Sequence, residues 1–307
     1  MLQAKRRRSE RTPLSKLAAE CVLRRNDALG EVPLWCGKTS TLWWVDVKAP
    51  AIQSYDPASG AHRRYELPGR TAGSWGFRSR GGMVLAMQDG LYSFEPETGA
   101  CGRLVAVESA EEGHRLNDGR CDRRGRFWVG SMHETDREKP RGSFYRIDAQ
   151  LAATRAFGCF MVPNSVAFSP DDRSMYFADT HAHRIWVFDF DLDAGGLSNQ
   201  RLFKDLSAQQ GLPDGSTVDV DGGLWNAEYR GSRVVRYTPQ GRIDRVVELP
   251  VSQPTSCAFG GSNLDTLYIT TAAQKLTPQQ LAREPEAGSL FAVRPGTQGL
   301  PEPHFAG

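Results

Sequence analysis

Residues 42–67 read LWWVDVKAPAIQSYDPASGAHRRYEL, a stretch in which apolar segments are separated by short polar turns. Alternating apolar residues bounded by Pro, Gly, Asn and Asp indicate β-strands joined by turns. The same order of strand and turn recurs at residues 90–105, 142–157, 184–203 and 233–249. No stretch shows a sustained helical period with caps. The sequence therefore predicts an all-β chain built from repeated units.

The repeat has six units, each marked by an apolar or aromatic-rich strand. These strands are centred near Trp43, Val84, Phe127, Tyr176, Trp225 and Tyr268. Their period of about 40 to 50 residues is the range expected for propeller blades. We therefore predict a six-bladed β-propeller with four short strands in each blade.

A closed ring needs a strand that joins its two ends. Residues 20–25 (ECVLRR) are strand-like and precede the first complete unit, while the last unit spans residues 266–305. An N-terminal strand added to the last blade would close the ring and remove two exposed sheet edges. We expect residues 20–307 to form a single propeller domain after a disordered basic tail, residues 1–19. Deletion of residues 1–25 should then open the ring.

Composition limits the classes of partner and compartment. The 38 Lys and Arg residues and 36 Asp and Glu residues give a net charge of +2, which predicts no nucleic-acid partner. Only residues 5–8 (KRRR), in the predicted tail, are strongly basic. The chain has no 18-residue apolar run and no signal-peptide core, so we expect no membrane partner. Six scattered cysteines without a Cys-x-x-Cys pair are typical of a reduced, cytoplasmic chain.

Four polar residues recur at one phase of the repeat, roughly ten to thirteen residues before the centre of an apolar strand. They are Glu31, Asn117, Asn164 and Asp214. In a ring of equivalent units, equal phase means equal position, so these side chains should converge on the central axis. An oxygen-rich ring at that place suits a hard cation and a small polar substrate.

Three of these residues offer oxygen ligands for a metal ion. Glu31 and Asp214 supply carboxylates and Asn164 an amide carbonyl, a set suited to Ca²⁺, Mg²⁺ or Mn²⁺. Three protein ligands leave coordination positions for water or a substrate carbonyl. Taken singly, Asn-Asp-Gly at 117–119 and Pro-Asp-Gly at 213–215 are also strong turn formers. The shared phase favours a site, because turn chemistry does not explain a glutamate at the same place in the first unit.

Ordered motifs along the chain carry a family resemblance. They are GEVPLW (30–35), RLNDG (115–119), FWVGSM (127–132), PNS (163–165), LPDG (212–215), TSCAFGG (255–261) and PEAG (285–288). From about residue 21 to the end, the chain resembles the family of senescence marker protein 30 (regucalcin), gluconolactonase and related sugar lactonases. The resemblance implies a six-bladed propeller that binds one divalent cation in its central channel and hydrolyses aldonolactones.

The resemblance also implies roles for particular residues. The family's metal ligands align with Glu31, Asn164 and Asp214. Its substrate-contacting positions align with Arg115 and Asn117. The cation can be Ca²⁺, Zn²⁺, Mn²⁺, Mg²⁺ or Fe²⁺, because oxygen ligands with open positions accept several divalent ions. We expect Asp214 to act as the general base while the cation polarises the lactone carbonyl and stabilises the oxyanion.

One departure from the family pattern follows Met132. The chain reads GSMHET over residues 130–135, so the substrate-binding acid of animal members aligns with Thr135, and Glu134 lies one place earlier. A shift of one residue along a strand reverses the side chain, whereas a bulge re-aims it. Both residues are therefore candidate substrate contacts. We expect Thr135→Val to change the ranking of lactones and Glu134→Gln to have little effect.

Two other functions are open. One is a regucalcin-like calcium-binding protein without catalysis, and the other is a paraoxonase-like or phosphotriesterase-like hydrolase on the same fold. Arg115 and Asn117 favour the lactonase, because a calcium buffer has no use for a sugar clamp.

Other residues of catalytic type have simpler interpretations. His133, His181 and His183 lie in loops after strands, where a place at the channel mouth is one interpretation and an exposed loop side chain is the favoured one. Strand positions predict packing between blades for Trp43, Trp44, Trp128, Trp186 and Trp225.

Overall fold

The structure is a computed structural model that describes residues 15–108 and 113–307. It begins with two short strands, β1 (Ser15–Ala18) and β2 (Glu20–Leu23). Blade 1 contains β3 (Gly30–Cys36), β4 (Thr41–Asp46), β5 (Ala51–Tyr55) and β6 (His62–Glu66). Blade 2 contains β7 (Ala72–Phe77), β8 (Met83–Met87), β9 (Gly90–Glu95) and β10 (Ala100–Ala106). Blade 3 contains β11 (His114–Cys121), β12 (Phe127–His133), β13 (Gly142–Ile147) and β14 (Ala153–Phe160).

The second half of the chain continues the same order. Blade 4 contains β15 (Pro163–Phe168), β16 (Ser174–Asp179), β17 (Arg184–Asp191) and β18 (Gly196–Asp205). Blade 5 contains β19 (Leu212–Val218), β20 (Leu224–Tyr229), β21 (Arg233–Tyr237) and β22 (Ile243–Glu248). Blade 6 contains β23 (Pro254–Gly260), β24 (Thr266–Thr271) and β25 (Leu290–Val293), with a short helix, α1 (Pro278–Arg283), between the last two. The predicted six-bladed β-propeller is confirmed.

Residues of the innermost strand of a blade are more buried than residues of its outermost strand. Every residue of β15, the first strand of blade 4, is buried, whereas most of β18, the fourth strand, is exposed. A strand buried on both faces reads as a continuous apolar or small-residue run, and an outer strand reads as a polar one. The first strand of each blade therefore lines the central channel.

Tryptophans fill the space between neighbouring blades. Trp128 and Trp225 are fully buried, and their indole N–H groups donate to Asp122 and Asp219 at 2.8 Å in each case. Burial of a large aromatic side chain contributes about 1.5–3 kcal/mol of stability. Because each indole also has an acceptor, its burial leaves no polar group unpaired. The prediction that these tryptophans pack between blades is confirmed.

The N-terminal chain closes the ring and adds a strand that the sequence did not predict. Strand β2 pairs with β25 and gives blade 6 its fourth strand, so the predicted closure is confirmed. Strand β1 pairs in parallel with β22 and becomes a fifth strand of blade 5. The predicted disordered tail therefore does not extend to residue 19, because main-chain pairing orders Ser15–Ala18. Residues 1–14, including the basic run at 5–8, lie outside the described residues.

A β-bulge interrupts the first strand of every blade. In blade 1, the strand advances three residues from Glu31 to Leu34 while its partner moves only two. Equivalent shifts in the other blades fall at Ala72/Ser74, Leu116/Gly119, Asn164/Ala167, Pro213/Ser216 and Pro254/Ser256. A bulge adds one residue, bends the strand and re-aims the side chains next to it. Six bulges at one level therefore turn side chains of the inner strands toward one end of the channel.

The last residues of the chain pack against the opposite end of the inner strands. Phe305 is fully buried and its N–H donates to Phe77 O at 2.7 Å, at the end of β7. Arg120, near the end of β11, makes a two-point ion pair with Glu302 at 2.7 and 2.9 Å. Segment 299–307 thus joins blades 2, 3, 5 and 6 across this end. Access to the centre of the ring is left at the end where the bulges lie.

The six cysteines, all within the described ranges, are free thiols. None of the described helical residues forms a helix long and apolar enough to span a membrane.

Candidate metal and substrate site

A cavity of about 230 Å³ lies at the end of the channel where the bulges are found. Its lining includes Glu31, Asn117, Asn164 and Asp214. Four cationic side chains also line it, from Arg115, Arg137, Arg230 and Lys275. Ligand cavities commonly have volumes of about 300–1,000 Å³. This cavity is slightly smaller, so its volume suits a small molecule.

The four phased residues meet at the floor of this cavity. Glu31, Asn117, Asn164 and Asp214 are 8%, 9%, 4% and 6% exposed. Their phase agrees to within one residue. Glu31 and Asn164 are the last paired residues before a bulge, whereas Asn117 and Asp214 lie inside one. The alternative turn interpretation is wrong for 117–119 and 213–215, because both segments lie within strands.

Backbone strain accompanies this arrangement. Val32 and Ser165, which follow Glu31 and Asn164, have left-handed backbone angles, with φ of 48° and 59°. A β-branched residue such as valine is rarely found there, and such outliers cluster at functional sites. The strain is the local consequence of turning the preceding side chain into the channel.

Hydrogen bonds connect the site residues of three blades in a chain. Arg115 Nη1 donates to Asn117 Oδ1 at 2.7 Å, and Asn117 Nδ2 donates to Asn164 Oδ1 at 3.0 Å. Asn164 Nδ2 donates to Thr180 Oγ1 at 2.8 Å, and Thr180 donates to Pro213 O at 2.7 Å. The orientation of each amide is therefore set by its neighbours, and the chain ends beside Asp214.

Asp214 is held by its main chain and leaves its carboxylate available. Its carbonyl oxygen accepts from Asn226 Nδ2 at 2.9 Å and from the Ser165 hydroxyl. The neighbouring Gly215 permits close packing, because a Cβ there would lie 2.2 Å from Ser256 Oγ. Asp214 Oδ1 is buried and has no hydrogen-bond partner. A buried carboxylate oxygen without a partner is costly unless a ligand satisfies it.

The site concentrates negative charge in a buried place. Burial and the charge of Asp118 raise the pKa of Asp214 well above its usual range. Burial, followed by the charges of Asp214 and Asp118, does the same to the pKa of Glu31. Burial also raises the pKa of Asp118 to about 6, although this carboxylate accepts a hydrogen bond from Val166 N at 3.0 Å. Sequence reasoning treated Asp118 only as a turn former.

The donor set fits a hard divalent cation. Two carboxylates and one amide oxygen converge, and one carboxylate oxygen lacks any partner. These are the oxygen ligands that Ca²⁺ and similar ions prefer. Among the described residues, no three His, Cys, Asp or Glu side chains form a metal-binding group, so the candidate site depends on the amide of Asn164 as its third ligand.

Arg115, which lines the cavity, has one donor without a hydrogen-bond partner. Its Nη1 is bonded to Asn117 and to Leu116 O, but its Nε is buried without a partner. Burial, together with the charge of Arg137, lowers the pKa of Arg115 to about 10. The guanidinium therefore stays charged at neutral pH. A charged N–H without a partner, on a residue that lines the cavity, suits recognition of a substrate oxygen.

The structure separates the two residues that were predicted in place of the family's acid. Strand β12 ends at His133, and Thr135 is exposed, with its N–H directed to His133 Nδ1 at 3.4 Å. Thr135 is not brought to the cavity. Glu134 is half-buried and pairs with Lys48, and its charge acts on Arg115. It stands next to the cavity lining without forming part of it.

The three histidines that were expected to be exposed are all half-buried. His181, in the turn after β16, lines the cavity. Burial lowers the pKa of its imidazole, so the ring is neutral at pH 7. His133 and His183 are also half-buried and are not part of the lining.

Several cavity residues had no sequence signal. Arg137, Arg230 and Lys275 come from loops of blades 3, 5 and 6, outside the repeat positions that were compared. Comparison of loop charges at the same end of every unit would have detected them.

Comparisons with known proteins show the family to which this chain belongs. A family model described as SMP-30/Gluconolactonase/LRE-like region matches residues 29–273. A 6-deoxy-6-sulfogluconolactonase from Pseudomonas putida is 36% identical over 288 residues, covering 94% of this chain and 98% of that protein. An L-arabinolactonase from Azospirillum brasilense is 37% identical over 284 residues, covering 92% and 93%. The crystal structure of a calcium-binding protein, regucalcin, from Agrobacterium tumefaciens matches with a TM-score of 0.91 at 28% identity, covering 96% and 99%. The chain therefore belongs to the SMP-30/gluconolactonase/LRE-like family.

Proposed function

We propose that this protein is a sugar lactonase that hydrolyses an aldonolactone to the aldonic acid with the help of one divalent cation. The observation that carries the proposal is the unpartnered Asp214 Oδ1 on the floor of a small cavity that Arg115 also lines. Two relatives of similar length are named as lactonases, which supports the same reaction class.

Glu31, Asn164 and Asp214 would hold the cation. A divalent ion bound there would polarise a lactone carbonyl and offset the negative charge that develops on its oxygen. It would also favour the ionised forms of Glu31 and Asp214, whose charge is otherwise opposed by burial.

The protein groups perform the rest of the reaction. Ionised Asp214 accepts the proton of the water that attacks the carbonyl carbon, as a general base, and returns this proton to the ring oxygen as the ring C–O bond breaks. Arg115 Nε donates to a ring or hydroxyl oxygen of the sugar. Asn117 uses both N–H groups on Pro163 O and Asn164 Oδ1, so it orients Asn164 and offers the substrate only a lone pair of Oδ1. The buried floor keeps the reacting groups in fixed positions.

The two alternative functions differ in what they require of the cavity. A calcium-binding protein without catalysis needs the same carboxylates but not the unused donor on Arg115. A hydrolase for apolar esters needs an apolar wall. Leu29, Val162 and Leu212 supply part of such a wall, but four cationic side chains also line this cavity. Both features favour a polar, oxygen-rich substrate.

A panel of aldonolactones tests the proposal. Acid release is followed with a pH indicator after chelation and after addition of Ca²⁺, Zn²⁺, Mn²⁺, Mg²⁺ or Fe²⁺, with the spontaneous rate subtracted. We expect turnover that needs metal and is lost in Asp214→Asn, while the exposed control Asp193→Asn retains it. Melting temperature with and without metal reports binding separately. Metal binding without turnover of any lactone would favour the calcium-binding alternative, and full activity of Asp214→Asn would exclude Asp214 as the base.

A further inference from the structure

Three cationic side chains surround the mouth of the cavity. Arg137 lies in the loop between β12 and β13, Arg230 directly after β20, and Lys275 after β24, so blades 3, 5 and 6 each supply one. Arg230 and Lys275 are exposed, whereas Asp214 on the floor is 6% exposed. The cavity is thus negative at its floor and positive at its mouth.

These cations have no anionic partner in the part of the chain that the structure describes. No carboxylate of residues 15–108 or 113–307 lies within 4.0 Å of the charged nitrogens of Arg137, Arg230 or Lys275. Arg137 Nε donates to the main-chain Glu134 O at 2.8 Å, and Arg230 lies 5.8 Å from the centre of the Tyr229 ring. Burial, and then the charges of Arg137, Arg230 and Lys48, lower the pKa of Lys275. The three groups therefore repel one another, and an anion bound among them would relieve that repulsion.

The negative charge at the floor of the cavity can be neutralised without the three cationic side chains at its mouth. The charges of Glu31 and Asp214 match one divalent cation. The single negative charge of Asp118 is matched by the positive charge of Arg115 beside Glu31, because Arg120 is already paired with Glu302. With the floor neutralised in this way, the mouth retains an excess of three positive charges.

We propose that the substrate is a lactone with an anionic group on the carbon farthest from the reacting carbonyl, and that Arg137, Arg230 and Lys275 bind this group. The proposal rests on the lactonase function given above. A sugar whose carbonyl lies at the floor directs its other end to the mouth, and a cavity of about 230 Å³ gives it little freedom to turn. A sulfonate, a phosphate or a carboxylate has the required charge and acceptor oxygens.

The test compares pairs of lactones that differ only in the terminal group. Glucono-1,5-lactone is compared with its 6-phosphate, its 6-deoxy-6-sulfo analogue and the corresponding 6-carboxylate. We expect kcat/KM to be at least about tenfold higher for one or more of the anionic lactones, since a charged hydrogen bond contributes about 1.5–3 kcal/mol. The anionic lactone with the highest ratio of its kcat/KM to that of the neutral lactone identifies the preferred anion. That ratio should fall as salt is raised, because salt screens exposed charges.

Variants test whether the cationic residues at the mouth cause the preference for anionic lactones. Arg230→Gln with Lys275→Gln should reduce the ratio of anionic to neutral kcat/KM at least tenfold, and Lys275→Arg should preserve most of it. Arg242→Gln, which removes an exposed positive charge outside the cavity, should leave the ratio within twofold. Melting curves establish that each variant is folded.

The outcomes separate this inference from the lactonase function. Equal hydrolysis of neutral and anionic lactones, or a ratio that the double variant does not change, would overturn the inference and leave the lactonase function in place. Absence of hydrolysis for every lactone would overturn both.

Discussion

Asn117 Nδ2 donates a hydrogen bond to Asn164 Oδ1 across 3.0 Å, so a residue predicted to contact substrate also orients a residue predicted to bind metal. The two residues are on the inner strands of neighbouring blades 3 and 4. A change at the predicted substrate contact should therefore also affect the predicted metal ligand.

Asn117→Ala should weaken metal binding as well as catalysis. The substitution removes the donor that orients Asn164 and the acceptor of Arg115 Nη1. Loss of a group that orients a metal ligand typically costs about 10–100-fold in affinity or activity. Metal titration by calorimetry checks this, with the surface variant Asn199→Ala as control. Unchanged metal affinity in Asn117→Ala would show that Asn164 does not depend on this hydrogen bond.

Asp118 should make the metal-free protein less stable as pH rises. Its folded pKa of about 6 is above its usual 3.8, so its contribution to stability is fully present below pH 3.8 and is lost as pH rises through about 6. Between pH 5 and 7.5, the loss is about 1 kcal/mol by linkage. Urea unfolding in chelator should show this loss in the wild type relative to Asp118→Asn. Parallel pH profiles for the two proteins would contradict the assignment.

Removal of the N-terminal strands should separate their two roles. A chain lacking residues 1–18 loses β1 but keeps β2, so blade 6 retains four strands, and we expect it to fold and melt cooperatively. A chain lacking residues 1–25 loses β2, which exposes the edge of β25 and opens the ring. Solubility and thermal melting provide the comparison. A soluble chain that melts cooperatively after the longer deletion would show that β2 is not needed for closure.

Glu134 should matter more for activity than Thr135, the reverse of the order expected from the sequence. Glu134→Gln removes the charge that pairs with Lys48 and acts on Arg115, which should lower kcat/KM about fivefold, the effect of about 1 kcal/mol. Thr135→Val, at an exposed turn, should remain within twofold of the wild type. Kinetics across the lactone panel decide between them, and a changed ranking of lactones in Thr135→Val alone would restore the first expectation.

The architecture and the family of this protein could both be predicted from local patterns in its sequence. The six-unit period, the strand and turn order of residues 42–67, and the strand-like residues 20–25 were sufficient to predict the propeller and its closure, and both are confirmed. The family predicted from the ordered motifs is confirmed as well. These features are readable because a propeller repeats a local unit, so each blade predicts the others.

Tertiary structure decided which side chains reach the cavity. Thr135 and Glu134 differ by one place in the sequence, but the end of β12 leaves the first exposed and the second beside Arg115. The cations of the mouth come from loops more than 40 residues apart, at Arg137, Arg230 and Lys275. Side-chain direction depends on register and bulges, and a shift of one residue reverses it. The repeat therefore predicts the level of a residue in the channel, whereas only the folded ring determines where its side chain points.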